Sequence, residues 1–146
     1  MKKEDIILIG ESNDEHFELI RNHLLQPEAN SIIRFTDGQN ILNFLLEKIN
    51  KSGENHLGGY VLVMDINIPT VDGVEILEKI KTDGKLKRLP VVILTAKDDQ
   101  NIIERCHELG CSMYVVKPVE DKHTFAETVR KIGSFLSIVK LAPINN

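Results

Sequence analysis

The chain has 146 residues, 42% of them hydrophobic, and a formal net charge of −4. This length suits one domain with its own core, and an acidic balance with no Lys/Arg run excludes a nucleic-acid surface. Too few apolar residues follow Met1-Lys2-Lys3-Glu4-Asp5 for a signal peptide, and no stretch approaches a membrane span, so a cytoplasmic protein with no membrane contact is expected. Cys106 and Cys111 have no His or Cys partners at zinc spacing; Cys106 reads as a small hydrophobe on a helix and Cys111 as a strand-entry residue of a reduced protein, with a redox pair as the alternative.

Ile6 to Ile9 is the first predicted strand. After Gly10-Glu11, the run Ser12-Asn13-Asp14-Glu15 matches a capping box, with Ser12 as cap and Glu15 reaching back. Phe17, Ile20, Leu24 and Leu25 then recur at helical spacing, and the helix should stop before Pro27. Ser31 to Phe35 is a second strand, and Ile41, Leu42, Phe44, Leu45 and Ile49 form the apolar face of a second helix. Asn50 to Gly59 is polar and glycine-rich and reads as a mobile surface loop.

Tyr60 to Met64 is a continuous apolar run, as in a strand buried on both faces, and Asp65 stands where it ends. Asp72 is placed to cap a third helix bearing Val74, Ile76, Leu77 and Ile80, which Asp83-Gly84 ends. Pro90 introduces a fourth strand, Val91 to Leu94, closed by Thr95 and Ala96. Asp98 or Asp99 caps a helix containing Ile102, Ile103 and Leu109, with Gly110 at a left-handed end. Ser112 to Val116 is a fifth strand, stopped by Lys117-Pro118, and a last helix runs from about Asp121 to about Lys140.

Five repeats of strand then helix with short connections predict right-handed crossovers and one parallel sheet covered on both faces, an α/β fold. All strand carboxyl ends then lie on one rim, the place where open α/β sheets put their chemistry. That rim collects Glu11, Ser12, Asp65, Thr95, Ala96 and Lys117. A carboxylate is ionised at neutral pH and attacks phosphorus without a general base. Mg²⁺ held by carboxylates would offset repulsion from an anionic donor, and Thr95 and Lys117 would neutralise charge developing on the phosphoryl oxygens. The five histidines fall on helices or the polar loop, none at a strand end, and read as surface residues.

The acidic turn Ile-Leu-Ile-Gly-Glu-Ser, the run Val-Leu-Val-Met-Asp-Ile-Asn-Ile-Pro-Thr-Val-Asp-Gly, then Val-Val-Ile-Leu-Thr-Ala and Tyr-Val-Val-Lys-Pro occur in this order along the chain. In these motifs it resembles, over nearly its whole length, the receiver domain of two-component response regulators. The segments 36–45 and 135–141 are also similar to the stand-alone regulators that partner cyanobacterial phytochromes. The resemblance implies a flavodoxin-like (βα)5 three-layer sandwich, strand order 2-1-3-4-5, with 1–146 a single receiver domain ordered over about 4–141 and no output domain. It implies that Asp65 accepts a phosphoryl group from a sensor histidine kinase or histidine phosphotransfer protein, as a signalling step rather than enzymatic turnover. Mg²⁺ would be bound by Asp65, the backbone carbonyl of Asn67 and the acidic turn at Glu11. Thr95, Lys117 and the amide of Ala96 would contact the phosphoryl group, and Tyr114 would turn inward to repack a face that docks a downstream protein target. A cis Lys117–Pro118 bond is also implied, and Phe135, Ile138 and Leu141 are candidates for a homodimer surface.

One position departs from the family pattern. Two consecutive acids usually follow the first strand, and here the second is Ser12. One carboxylate fewer beside a cation removes gross attraction of about 4 kcal/mol per unit charge at 4 Å and an effective dielectric of 20. Weakened but surviving Mg²⁺ and phosphoryl chemistry is the expectation. The alternative is a pseudo-receiver, an interaction module independent of phosphate. Asp65-Ile66-Asn67 is also similar to the Asp-x-Asp signature of haloacid-dehalogenase phosphatases, but Asn67 cannot do the acid–base work of the second acid. A flavin site would need a hydroxyl- and glycine-rich phosphate loop after the first strand, which is missing.

Overall fold

Each apolar run becomes a strand whose side chains alternate between two helical layers. The computed structural model describes residues 1–24, 30–50 and 59–141. Its elements are β1 (Ile6–Gly10), α1 (Asp14–Leu24), β2 (Ser31–Phe35), α2 (Gly38–Asn50), β3 (Tyr60–Met64), α3 (Gly73–Thr82), a 3₁₀ turn (Leu86–Arg88), β4 (Val91–Thr95), α4 (Gln100–Leu109), β5 (Met113–Val116) and α5 (Lys122–Ile138). The strands are all parallel in the order β2-β1-β3-β4-β5, as expected.

The period of two along a strand sorts the core into layers. Leu8, Leu62, Met64, Val91 and Ile93 pack with Ile41 and Leu45 of α2, Ile76, Leu77 and Ile80 of α3 and Cys106 of α4. Ile7, Ile9, Val61, Val63, Val92 and Leu94 pack on the other face with Phe17, Ile20 and Leu24 of α1 and Phe125, Val129, Ile132 and Leu136 of α5. Both faces of the central strands are therefore covered, which is why β3 and β4 read as unbroken apolar runs. In the second layer α1 and α5 nearly touch: a Cβ on Gly133 would stand 1.7 Å from the Leu24 carbonyl oxygen.

Helix ends follow the expected residues at four places. Asp72, Asp99 and Asp121 each accept from amides in the first turn of α3, α4 and α5. Gly110 ends α4 with a φ of 102°, the left-handed geometry that glycine adopts without strain.

The start of α1 is corrected. The Glu11 carboxylate accepts the Asn13 amide at 3.1 Å, which turns the chain for one residue more before the helix begins. Asn13, not Ser12, is the cap, its Oδ1 accepting from the His16 amide at 2.9 Å. Ser12 is exposed, and Glu15 pairs instead with Lys122 at 2.7 Å. That hydrogen bond lowers the Glu15 pKa and raises that of Lys122. Peptide bonds among the described residues are all trans, Lys117–Pro118 included, the isomer an X–Pro bond favours by about 0.5–1 kcal/mol. β5 begins at Met113, and α5 ends at Ile138 because Val139 is extended. Of the loop expected over 50–59, Asn50 instead ends α2, and residues 51–58, like Leu25, lie outside the described residues.

Candidate functional site

The parallel order brings the ends of β1, β3, β4 and β5 to one rim. Ladder bonds continue past the strands: the Asp65 amide donates to Gly10 O at 2.9 Å, and the Lys117 amide to Thr95 O at 2.7 Å. Glu11, Asp65, Thr95 and Lys117 are thereby delivered together, and all four are buried.

Their side chains form one hydrogen-bonded cluster. Thr95 Oγ1 donates to Asp65 Oδ1 at 2.6 Å, and the Asn67 amide donates to the same oxygen at 2.9 Å. Lys117 Nζ donates to Asp65 Oδ2 and to Glu11 Oε1, the latter at 2.5 Å. The two oxygens of Asp65 are thus handled separately, one by a hydroxyl and an amide, the other by an ammonium. Two carboxylates against one ammonium give the cluster a formal charge of −1. With only the lysine to offset them, the pair of acids suits a hard cation.

Among the described residues no group of three or more His, Cys, Asp or Glu side chains is disposed to hold a metal ion. Mg²⁺ takes one or two carboxylates and completes its shell with water and phosphoryl oxygens. Glu11, Asp65 and the backbone carbonyl of the exposed residue Asn67 fit that requirement, while Ser12 adds no charge.

Two residues of the site escape a reading by strand ends. His16, expected at the surface, is half-buried, and its Nδ1 lies 3.1 Å from Lys117 Nζ. The signal was its place four residues before Ile20, on the inward stripe of α1. Arg34 of β2 donates to the Glu11 carbonyl at 3.1 Å and to Asp14 Oδ1 at 2.7 Å, with its guanidinium 4.4 Å from the Phe17 ring centre. It clamps the acidic turn from the neighbouring strand.

The remaining predicted residues sit around this cluster. Ala96 is exposed beside Lys117 and lines a cleft of about 390 Å³ with Val116, Pro118, Val119, Glu120, Asp121 and Thr124. Tyr114 is half-buried on β5 and its hydroxyl donates to the Lys97 carbonyl at 2.6 Å. Burial is the main reason its phenol pKa is pushed up to about 12, so it remains a donor across the physiological range. Beyond Asp65, Thr70 holds a φ of 67°, uncommon for a β-branched residue. Its hydroxyl donates at 2.8 Å to Asp37, which also accepts from the first amides of α2. Of the three candidate dimer residues, Phe135 and Ile138 are exposed, whereas Leu141 packs on the α1–α5 layer. No helix among the described residues is long and apolar enough to cross a membrane.

Comparison with known proteins agrees with this geometry. The family model described as response regulator receiver domain matches residues 7–130. The polar-differentiation response regulator DivK of Brucella ovis is 30% identical over 124 residues, covering 85% of this chain and 92% of DivK. Among solved structures, the phosphorylated cyanobacterial phytochrome response regulator RcpA superposes with a TM-score of 0.81 at 26% identity, covering 93% of this chain and 96% of RcpA. The Mn²⁺-bound form of response regulator Rcp1 does so with a TM-score of 0.82 at 27% identity, covering 94% of this chain and 98% of Rcp1. With the buried rim cluster, the strand order and a family match spanning most of its length, the chain belongs to the response regulator receiver domains of two-component signalling.

Proposed function

We propose that Asp65 is the acceptor of a phosphoryl group delivered by a phosphohistidine of a sensor kinase or phosphotransfer protein. The observation that carries this reading is the division of labour on Asp65, with Thr95 and the Asn67 amide on Oδ1 and Lys117 on Oδ2. A carboxylate oxygen attacks phosphorus, an O–P bond forms as the N–P bond breaks, and the departing imidazole takes up a proton. The nucleophile needs no base, so the protein's part is placement and charge. Lys117 and Thr95 already hydrogen-bond the acceptor and are within reach of a phosphoryl group attached to it. Mg²⁺, when bound through Glu11, Asp65 and the Asn67 carbonyl, supplies positive charge against the donor's oxygens. Hydrolysis reverses the state: water attacks phosphorus, the acyl-phosphate O–P bond breaks, and inorganic phosphate and the carboxylate remain.

The signal leaves through the face around β5. Thr95 gives up its bond to Asp65 for one to the phosphoryl group, and Tyr114 trades its bond to the Lys97 carbonyl for an inward position. Both bonds break without disturbing the strands, which suits a switch that repacks a surface for a protein target.

Beryllofluoride is a phosphoryl mimic, and its Mg²⁺-dependent binding tests the reading. Wild type is expected to bind, and Asp65→Asn is not. The exposed Ser12 in place of an acid favours a second reading, a module that docks without phosphate. If wild type stays unmodified by a small phosphodonor at high Mg²⁺ while Ser12→Asp is labelled, the second reading stands and the first falls.

A further inference from the structure

The Lys117 side chain is only 1% exposed, and an ammonium has three N–H donors and no acceptor. A donor left without a partner at such a depth is unfavourable. Glu11 Oε1 takes one proton and Asp65 Oδ2 another, and His16 Nδ1, at 3.1 Å, is the third partner. Because lysine can only donate, Nδ1 accepts in this contact and carries no proton, which leaves Nε2 as the ring's N–H. The ring is held in place by Phe125 of α5, with centroids 5.3 Å apart and planes at 61°, an edge-to-face contact between α1 and α5.

From this contact we infer that His16 is a positioning residue of the phosphoryl site, the anchor that aims the Lys117 ammonium at Asp65. The inference rests on the phosphoacceptor reading and deepens it. Glu11 and Asp65, the other two anchors, are the acids expected to hold the cation, so both face competing demands in the loaded site. Once Asp65 is esterified, Lys117 must also turn one N–H to a phosphoryl oxygen. An anchor that does not bind the cation holds the amine in register through both events. An acid at position 16 would instead add a third negative group to Lys117, and an apolar residue would leave a proton without a partner.

Two substitutions separate anchoring from packing. His16→Phe keeps a ring against Phe125 but has no acceptor, whereas His16→Asn loses the ring and places an amide oxygen close to where Nδ1 stands. The readouts are beryllofluoride affinity in saturating Mg²⁺ and the imidazole ¹⁵N spectrum of wild type and Lys117→Met. Loss of one bond to a charged group predicts that His16→Phe binds about tenfold more weakly, with His16→Asn recovering most of that. The spectrum should show the Nε2–H tautomer in wild type, and a changed Nδ1 shift in Lys117→Met. Equal affinity for wild type and His16→Phe overturns the inference, as does an Nδ1–H tautomer. Failure of wild type to bind beryllofluoride sinks the phosphoacceptor reading, and the positioning role with it. The ¹⁵N spectrum does not depend on phosphate, so it reports separately whether the Lys117 contact exists.

Discussion

Two acids are buried at opposite ends of the central strands, and they are held in different ways. Asp5 precedes β1 and is 2% exposed; Oδ2 accepts the Lys2 amide at 2.6 Å and Oδ1 the Gly59 amide at 2.7 Å. Asp65 follows β3 and is 7% exposed, with a hydroxyl, an amide and an ammonium on its oxygens. The partners of Asp5 are main-chain groups fixed by the fold, and Asn30 ties the same corner by donating to the carbonyls of Lys2 and Asp5. Two of the three partners of Asp65 are side chains that can rotate to a new acceptor. Burial therefore does not set the two acids apart; the exchangeable partners of the proposed acceptor do.

The sharpest way to break that comparison is to neutralise each acid. Asp65→Asn should abolish phosphodonor labelling, a loss of more than about a hundredfold. Its stability should fall by about 1–2 kcal/mol, because the amide oxygen still accepts from Thr95 and the Asn67 amide while Lys117 loses one of its three partners. Asp5→Ala should do the converse. Two amides lose their acceptor, for a loss of about 2–4 kcal/mol in urea unfolding, with beryllofluoride affinity unchanged within about twofold. If Asp5→Ala impairs binding as much as stability, the two ends of the sheet are not independent.

A buried thiol sharpens the contrast by having no charge to place. Cys106 lies in the α3–α4 layer, and burial is the main reason its thiol pKa is pushed up to about 11. The folded state keeps the proton that the unfolded chain releases above about pH 9. This stabilisation is complete below pH 9 and lost as pH rises to about 11, at most roughly 2–3 kcal/mol in all. Cys106→Ala should be less stable at neutral pH through its cavity, yet show a flatter decline between pH 9 and 11. Equal slopes would place the thiol in contact with solvent.

The smallest expected effect concerns the acidic turn. Asn13→Ala removes the cap of α1 and should lower stability by about 1 kcal/mol, whereas Ser12→Ala should stay within about 0.5 kcal/mol. The reverse ranking in thermal melts would restore Ser12 as the cap.

Why some of the site is legible in the sequence and some is not follows from its geometry. Glu11, Asp65, Thr95 and Lys117 each stand at the end of an apolar run, and a parallel sheet sends all such ends to one rim. Their convergence needs only strand boundaries and a common direction. His16 and Arg34 reach the rim from a helix and an edge strand, and their roles depend on which way those elements face. The Asn13 cap was missed for a local reason: the Glu11 carboxylate takes the amide two residues on, a turn that competes with the capping box and shifts the helix start by one residue.

The sequence alone determined the five strand–helix repeats, the residues at the strand ends, the Asp72 cap of α3 and, to within the pair Asp98 or Asp99, the cap of α4. Those features are set by local periodicity and by backbone groups that must be satisfied within a few residues. Only the tertiary structure decided that Glu15 pairs with Lys122, that Arg34 clamps the acidic turn and that His16 Nδ1 meets Lys117 Nζ. These contacts join residues 20 to 107 positions apart, and the packing of α1 on α5 and of β2 beside β1 selects them. No pattern within one element can, since the geometry that chooses between partners exists only once the layers are assembled.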